Sequence, residues 1–338
     1  MQTLLKTTKA YQLLNAEGEK SRFSHAYLLH FDDSKNIKSA LKLFSKLFFS
    51  CSDEQIDITN DKGKKRISSL IDEERFSDCL VYPKDGEKFV VEDAEEIGEE
   101  CLLQPVEGEK KVFIITDFSQ ATAAAQNKLL KLLEEPPKGV IFLLGATSVF
   151  SVLPTVLSRV EKLEIPPFEI EQIANCLART YQDTKRSFSQ TEYMLSAAAS
   201  GGCVGVAQSI LEGGDTGTLI QDCFSLCLAK KHELPTLIKK VGETKRKKEF
   251  LSLIRIVFRD ALLLKTEQRK NLIFLQSEKE TLEKIARIFP MSTLMHAQDL
   301  ISSAEQQLFF NTVFPQCIEI LFLKILQHKE LAQMRENS

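Results

Sequence analysis

The sequence predicts an α/β domain with a five-stranded parallel sheet covered by helices on both faces, followed by an entirely helical part. Short apolar runs alternate with helical patterns through the first half of the chain, which is typical of such a sheet. After Pro166 and Pro167 no convincing strand follows. The expected strands span residues 26–29, 79–82, 112–116, 140–144 and 162–165.

Helical periodicity predicts the elements between and beyond these strands. In the first half, helices are expected at 35–49, 92–103 and 121–134. The last of them should end at Pro136 and Pro137, because proline cannot continue a helix. In the second half, helices are expected at 168–181, 192–200, 250–264 and 317–326. The last two are apolar almost all round, so they must be buried in a bundle or a subunit contact.

Composition excludes several classes of protein. The chain carries 44 basic and 47 acidic residues, a net charge of −3, which excludes a uniformly basic nucleic-acid coat. The uncharged stretch 139–158 is as long as a membrane span, but Gly145 and Pro154 interrupt it and its apolar start is typical of a buried strand. Lys6 interrupts the N-terminus before an export signal could form. We therefore expect a cytoplasmic protein that does not contact a membrane.

Three motifs carry the functional information. Residues 24–29 read S-H-A-Y-L-L, residues 127–137 read N-K-L-L-K-L-L-E-E-P-P, and residues 153–159 read L-P-T-V-L-S-R. In order and spacing they resemble the AAA+ subunits of the bacterial clamp loader, with the patterns H-A-Y-L-F, N-A-L-L-K-x-L-E-E-P-P and L-P-T-x-x-S-R-C. The resemblance covers about residues 1–207. It implies an AAA+ α/β domain at 1–167, a helical lid at 168–207 and an all-helical collar for oligomerisation at 208–338.

The segment that would bind phosphate in this family departs from the family pattern. A phosphate-binding loop needs glycines that let backbone N–H groups approach the phosphates, and a lysine that reaches their terminal oxygens. Residues 30–39 read H-F-D-D-S-K-N-I-K-S, without glycine, and Asp32 and Asp33 would repel a triphosphate. Lys35 and Lys38 are therefore interpreted as ordinary surface residues.

The other nucleotide-facing positions are also altered. Family members with ATPase activity end the third strand in Asp-Glu, for magnesium and for water. Here Thr116 stands at the Asp position and Asp117 at the Glu position. The lid arginine of the family is missing from residues 202–207, which read G-C-V-G-V-A. The sequence therefore predicts no ATP hydrolysis in cis.

Ser158 and Arg159 match the S-R of the family motif, with Val160 in place of its cysteine. The resemblance implies that Arg159 is an arginine finger, which points into the ATP site of the neighbouring subunit, and that Ser158 supports it. A guanidinium there stabilises charge on the transferring phosphoryl group. The alternative is an arginine that pairs with a nearby carboxylate such as Glu161.

The resemblance also implies cofactors and partners. Many family members carry a four-cysteine zinc module, but only Cys51 and Cys79 occupy that interval here, so we predict no zinc. ATP would be bound by the neighbouring subunit only. The expected partners are the gamma/tau motor subunits, the delta subunit, the sliding clamp indirectly, and primer-template DNA. Residues 119–122, at the start of a predicted helix, are a candidate phosphate contact for that DNA.

Three functions remain open on the sequence alone. The first is a non-hydrolysing, stationary subunit of the DNA polymerase III clamp loader that supplies Arg159 in trans. The second is an autonomous ATPase motor of the same family, which would bind ATP without partners. The third is a purely structural scaffold, in which Arg159 is inert. Turnover by a neighbouring subunit distinguishes the first from the third.

Overall fold

The protein was analysed as a computed structural model. It describes residues 1–20, 22–50, 61–84, 88–182, 184, 188–213, 216–244, 246–266, 273–275, 278–309 and 312–336. The chain divides into two compact units, Met1–Pro167 and Phe168–Ser338. The separation of the second unit into a lid and a collar at residue 207 stays a prediction.

The first unit is built on a parallel sheet of five strands in the order β2-β3-β4-β1-β5. The strands are β1 (Ala26–His30), β2 (Cys79–Tyr82), β3 (Lys111–Ile115), β4 (Val140–Ala146) and β5 (Glu161–Glu164). In register, Ala26 pairs with Phe142 of β4, and Tyr27 pairs with Glu161 of β5. The interior strands β3 and β4 are buried throughout, as expected for apolar strands of a parallel sheet that is covered on both faces. The predicted α/β fold is confirmed, with strand bounds that differ by at most two residues.

Helices cover both faces of this sheet. They are α1 (Gln2–Lys6), α2 (Lys9–Glu19), α3 (Ile37–Ser50), α4 (Asp61–Asp72), α5 (Val91–Glu100), α6 (Ala123–Glu134) and α7 (Pro154–Leu157). The expected helices α3, α5 and α6 are confirmed. Thr122 caps α6, because its side chain accepts a hydrogen bond from the N–H of Ala125. The helix ends at Glu134, just before the two prolines.

A glycine of β4 sets how closely α3 approaches the sheet. A Cβ atom at Gly145 would lie 2.4 Å from the carbonyl oxygen of Thr116 and 2.6 Å from Cδ1 of Leu41 in α3. No side chain fits in that space, so only glycine allows this packing. The other face of the sheet packs against α5 and α6 through the buried residues Ile97, Leu129 and Leu133.

The second unit is helical throughout its described residues. Its helices are α8 (Ile170–Tyr181), α9 (Gln190–Ala199), α10 (Val204–Glu212), α11 (Thr216–Leu228), α12 (Leu234–Gly242), α13 (Lys247–Lys265), α14 (Lys279–Ile288), α15 (Met291–Phe309) and α16 (Phe314–Glu336). One hydrophobic cluster includes Ala199 and Ile210 together with residues of α11 to α16. The strongly apolar helix α13 lies at its centre, buried against its neighbours as expected.

The uncharged stretch 139–158 does not form a long helix. It contains β4, then the short 3₁₀-helix Val149–Ser151, then α7. Across the described ranges, no helix combines the length and the apolar character that a membrane crossing requires.

Candidate functional site

In the loop between β1 and α3, residues 31–36, and at the start of α3, four backbone N–H groups donate hydrogen bonds within the chain. The N–H of Phe31 donates to the carbonyl of Ala146 at 2.9 Å, and the N–H of Asp33 to the carbonyl of Phe31 at 2.8 Å. The N–H groups of Asn36 and Ile37 both donate to the carbonyl of Asp33. In a phosphate-binding loop such donors face the ligand. These four N–H groups are engaged within the chain itself.

A carboxylate also lies inside this loop. Asp33 is only 2% exposed, and its Oδ2 accepts a hydrogen bond of 3.0 Å from Nδ2 of Asn36. Its Oδ1 accepts from the N–H of Asn36 at 3.2 Å. A negative charge at the start of α3 is favourable, because the helix dipole and the first N–H groups are positive there. The Asp33 carboxylate therefore lies where it complements the dipole of α3.

Two lysines of α3 pair with Glu74. Lys38 Nζ lies 2.7 Å and Lys42 Nζ 2.6 Å from Oε1 of Glu74. Burial alone would raise the pKa of Glu74, but hydrogen bonds and charge from the two lysines outweigh it, so its pKa is lowered. Lys38 is a paired surface residue at this position.

The carboxylate after β3 is held by its own neighbours. Asp117 accepts hydrogen bonds from Nε2 of Gln120 at 2.8 Å, from Oγ1 of Thr147 at 3.5 Å and from Oγ of Ser119. Ser119, from the segment predicted to contact DNA, is thereby part of this network. Within the described ranges no group of three or more metal-binding side chains occurs. The hydrogen bonds of Asp117 order the turn that follows β3.

The Arg159 corner consists of α7, Ser158, Arg159 and the C-terminal end of α6. Arg159 Nη1 donates to the carbonyl of Thr155 at 2.7 Å and to Oγ of Ser158 at 3.2 Å. Its Nη2 lies 2.6 Å from Oε1 of Glu134, the last residue of α6. The arginine side chain is 34% exposed. The guanidinium is therefore oriented by its own chain and is still accessible from outside.

The carboxylate that pairs with Arg159 is Glu134, not Glu161. Glu161 is closer in sequence, but it lies in the edge strand β5. Glu134 is distant in sequence and is brought near by the packing of α7 against α6, where Val156 is fully buried. Ser158 is in contact with Arg159, and its supporting role stays a prediction.

A buried glutamine fixes the segment that leads into α7. Gln126 Nε2 donates to the carbonyl of Ser151 at 3.0 Å, and its Oε1 accepts from the N–H of Leu153 at 2.8 Å. The side chain is 2% exposed. Leu153 is the N-cap of α7 and Pro154 its first residue, a position that proline favours. Gln126 thus sets where the Arg159 corner begins.

Two of the sequence motifs meet at the C-terminal end of α6. The ring Nε2 of His25, just before β1, lies 3.1 Å from the carbonyl oxygen of Leu133. The last carbonyls of a helix lack partners within it, so a ring N–H here satisfies one of them. The motif at 24–29 therefore supports the end of the motif at 127–137, next to Glu134.

Sequence reasoning missed His25, Gln126 and Glu134 as supporting residues. The available signal was their position, because His25 and Glu134 belong to the motifs and Gln126 directly precedes one of them. Their partners lie 25 to 108 positions away along the chain, which no local pattern reveals.

The cysteines predicted not to bind zinc lie in different situations. Cys79 is buried in β2, and its thiol contacts Oγ of Ser45 at 3.8 Å. Burial raises the pKa of this thiol to about 12, which disfavours the thiolate that zinc requires. Cys51 lies outside the described residues. The absence of zinc stays a prediction.

The parallel sheet, its covering helices and the helical second unit agree with the fold predicted from the sequence. Residues 6–169 match the family model described as DNA polymerase III, delta subunit. Through this α/β unit the chain resembles the clamp-loader subunits of DNA polymerase III. One such relative is the delta' subunit of Bacillus subtilis, with 30% identity over 169 residues, half of each chain.

Two further comparisons extend over more of the chain. The DNA polymerase III subunit tau of Bacillus subtilis is 23% identical over 352 aligned positions, which cover 94% of this chain and 60% of that protein. The chain thus spans 50% to 60% of the length of these two relatives. A crystal structure of a gamma subunit-related protein from Thermotoga maritima aligns with 95% of this chain and all of its own, at 18% identity and a TM-score of 0.36.

Proposed function

We propose that this chain is the non-hydrolysing, stationary subunit of the DNA polymerase III clamp loader. It supplies Arg159 in trans to the ATP site of a neighbouring motor subunit while a sliding clamp is loaded on primed DNA. The observation that carries the proposal is a contrast within one unit. The loop at the nucleotide position is filled by its own contacts, whereas the Arg159 guanidinium stays accessible.

The geometry of the Arg159 corner suits an arginine finger. Nη1 is fixed by two acceptors of its own helix end, which limits the rotamers that the long side chain can adopt. The planar guanidinium is 34% exposed, and the geometry of its donors matches the oxygens of a phosphoryl group. Such a group, placed by a neighbour, accelerates phosphoryl transfer by about 10³–10⁵.

The proposed partners follow from this role and from the relatives' names. Gamma/tau motor subunits would bind the ATP, the delta subunit would lie nearby, and the sliding clamp and primer-template DNA would be engaged by the whole assembly. The protein itself would bind no ATP and no zinc. Its place of action would be the cytoplasm.

The scaffold hypothesis remains the second candidate, because Arg159 pairs with a carboxylate of its own chain. In that case the ion pair would only hold α6 and α7 together. The two functions differ in what the arginine does for a neighbouring subunit's turnover, and not in the fold of this chain.

The test is a reconstituted clamp loader with the motor and delta subunits, the sliding clamp and primed DNA. DNA-stimulated ATP turnover is compared between the native chain, Arg159→Ala and the matched control Arg75→Ala, which removes an arginine with 73% side-chain exposure. We expect turnover at the affected site to fall by about 10³ with Arg159→Ala only. Equal turnover for all three at saturating subunit would leave the scaffold hypothesis.

A further inference from the structure

Glu134 pairs with one of the two terminal nitrogens of the Arg159 guanidinium, Nη2. The two N–H···O contacts of Nη1 lie within α7 and its end, whereas Nη2 contacts the carboxylate of Glu134 on a different helix. Nη1 of the guanidinium is therefore fixed by two contacts, whereas the partner of Nη2 is a single acidic side chain.

The position of Glu134 is electrostatically unusual. It is the last residue of α6, where the helix dipole is negative and a carboxylate is disfavoured. The positive charge of Arg159 offsets this. Both side chains are partly exposed, 34% for Arg159 and 47% for Glu134. Ion pairs this accessible to water are weak, so another anion can replace Glu134 at little cost.

We propose that Glu134 is a positioning residue that pairs with the Arg159 finger and withholds it until a neighbouring triphosphate displaces the Glu134 carboxylate. We call this the parking role of Glu134. The inference rests on the proposed function and adds its regulation. Nη1 keeps its contacts with Thr155 and Ser158 throughout, so only Nη2 changes partner. A triphosphate carries several charges and presents paired oxygens, which a guanidinium binds more strongly than one hydrated carboxylate.

Parking has a consequence for the idle assembly. While Glu134 occupies Nη2, a loosely placed neighbour gains little from the finger, because the ion pair must open first. A properly closed neighbour displaces Glu134. The carboxylate therefore suppresses turnover in the absence of clamp and DNA more than it reduces turnover in their presence.

The experiment measures ATP turnover by the complete clamp loader with and without clamp and primed DNA. The variants are Glu134→Gln, which removes the charge, Glu134→Asp, which keeps it on a shorter side chain, and Glu135→Gln, a charge-matched control one residue further on. Each is also made together with Arg159→Ala. Thermal unfolding of each purified chain establishes that the variants are folded.

We expect Glu134→Gln to raise turnover without DNA by about two- to fivefold, which corresponds to the loss of an exposed ion pair. Glu134→Asp should lie between this variant and the native chain, and Glu135→Gln should match the native chain. In the Arg159→Ala background, Glu134→Gln should change nothing.

The two proposals fail in different ways. If Arg159→Ala lowers turnover but Glu134→Gln leaves the DNA-free rate unchanged or reduces it, the parking role is wrong and the finger stands. The parking role is equally wrong if Glu134→Gln raises the rate to the same extent in the Arg159→Ala background. If Arg159→Ala has no effect on turnover, the proposed function fails and the parking role fails with it.

Discussion

The β1–α3 loop and the Arg159 corner belong to the same α/β unit but treat charge in opposite ways. In the loop, the buried carboxylate of Asp33 accepts hydrogen bonds from Asn36, and backbone carbonyls accept those of the nearby N–H groups. At the corner, a partly exposed guanidinium is held by one acid that water also reaches. The buried network is costly to open, whereas the exposed pair is easy to exchange. Of the two regions, the Arg159 corner is therefore the one that can respond to a partner.

The largest expected effect concerns the support of the corner. Gln126→Ala would leave the carbonyl of Ser151 and the N–H of Leu153 without their buried partner, so we expect a loss of about 2–4 kcal/mol in the free energy of unfolding. We also expect the variant to lower ATP turnover by the neighbouring subunit, because the start of α7, which leads to Arg159, is no longer fixed. Urea unfolding measures the first and the reconstituted assay the second.

Asn127→Ala is the matched control, because this neighbouring amide is exposed. It should unfold like the native chain. A Gln126→Ala variant as stable as the Asn127→Ala variant would show that the corner does not depend on the buried amide.

A smaller effect is expected in the loop. Asp33→Ala removes the acceptor at the start of α3 and should cost about 1–2 kcal/mol in unfolding free energy. The isolated variant should still bind no ATP by calorimetry, since the N–H groups of Phe31, Asp33 and Ile37 keep their carbonyl partners. Asp32→Ala, next to it but exposed, is the control. Micromolar ATP binding by the Asp33→Ala variant would contradict the contrast between the loop and the Arg159 corner. The loop would then be a phosphate site that a single side chain blocks.

The smallest effect depends on pH. The pKa of Glu74 is lowered from its ordinary 4.5, so its pairs with Lys38 and Lys42 stabilise the protein above that pH. This contribution is lost as the pH falls through the lowered value, because the folded state then takes up the proton. We expect a difference of less than about 1 kcal/mol between the native chain and Glu74→Gln at neutral pH, since the groups are partly exposed.

Urea unfolding from neutral pH down to about pH 3 checks this difference. Glu73→Gln, a change in a more exposed acid nearby, should show a smaller one. A Glu74→Gln difference that stays constant or grows on acidification would contradict the sign of the pKa shift.

The sheet was predictable because its strands are short apolar runs, and buried parallel strands leave that pattern in sequence. The helices α1, α2 and α4 were not predicted. In α4, for example, Ile67 and Ile71 are the buried residues among the described side chains, and many of the other residues of the helix are charged, so the apolar signal is weak. Most of the helices after residue 200 were missed for a related reason, because their boundaries depend on packing in the shared cluster.

The candidate site was predictable only in part. Arg159 and Ser158 were found by motif, and the loop by its missing glycines. The partner of Arg159 was expected next to it in sequence, at Glu161, but tertiary packing places Glu134 there instead. Which carboxylate reaches a long side chain is set by how helices pack, and sequence distance does not report that.

The contact between His25 and Leu133 makes two distant parts of the chain mechanically dependent. A shorter residue at position 25 could not reach the end of α6, and the turn that carries Glu134 and the two prolines would lose its anchor. The acceptor is a backbone carbonyl, so the contact depends on the residue at position 25 and not on the side chain at position 133. A change at position 25 alone should therefore displace the arginine that pairs with Glu134 without touching it.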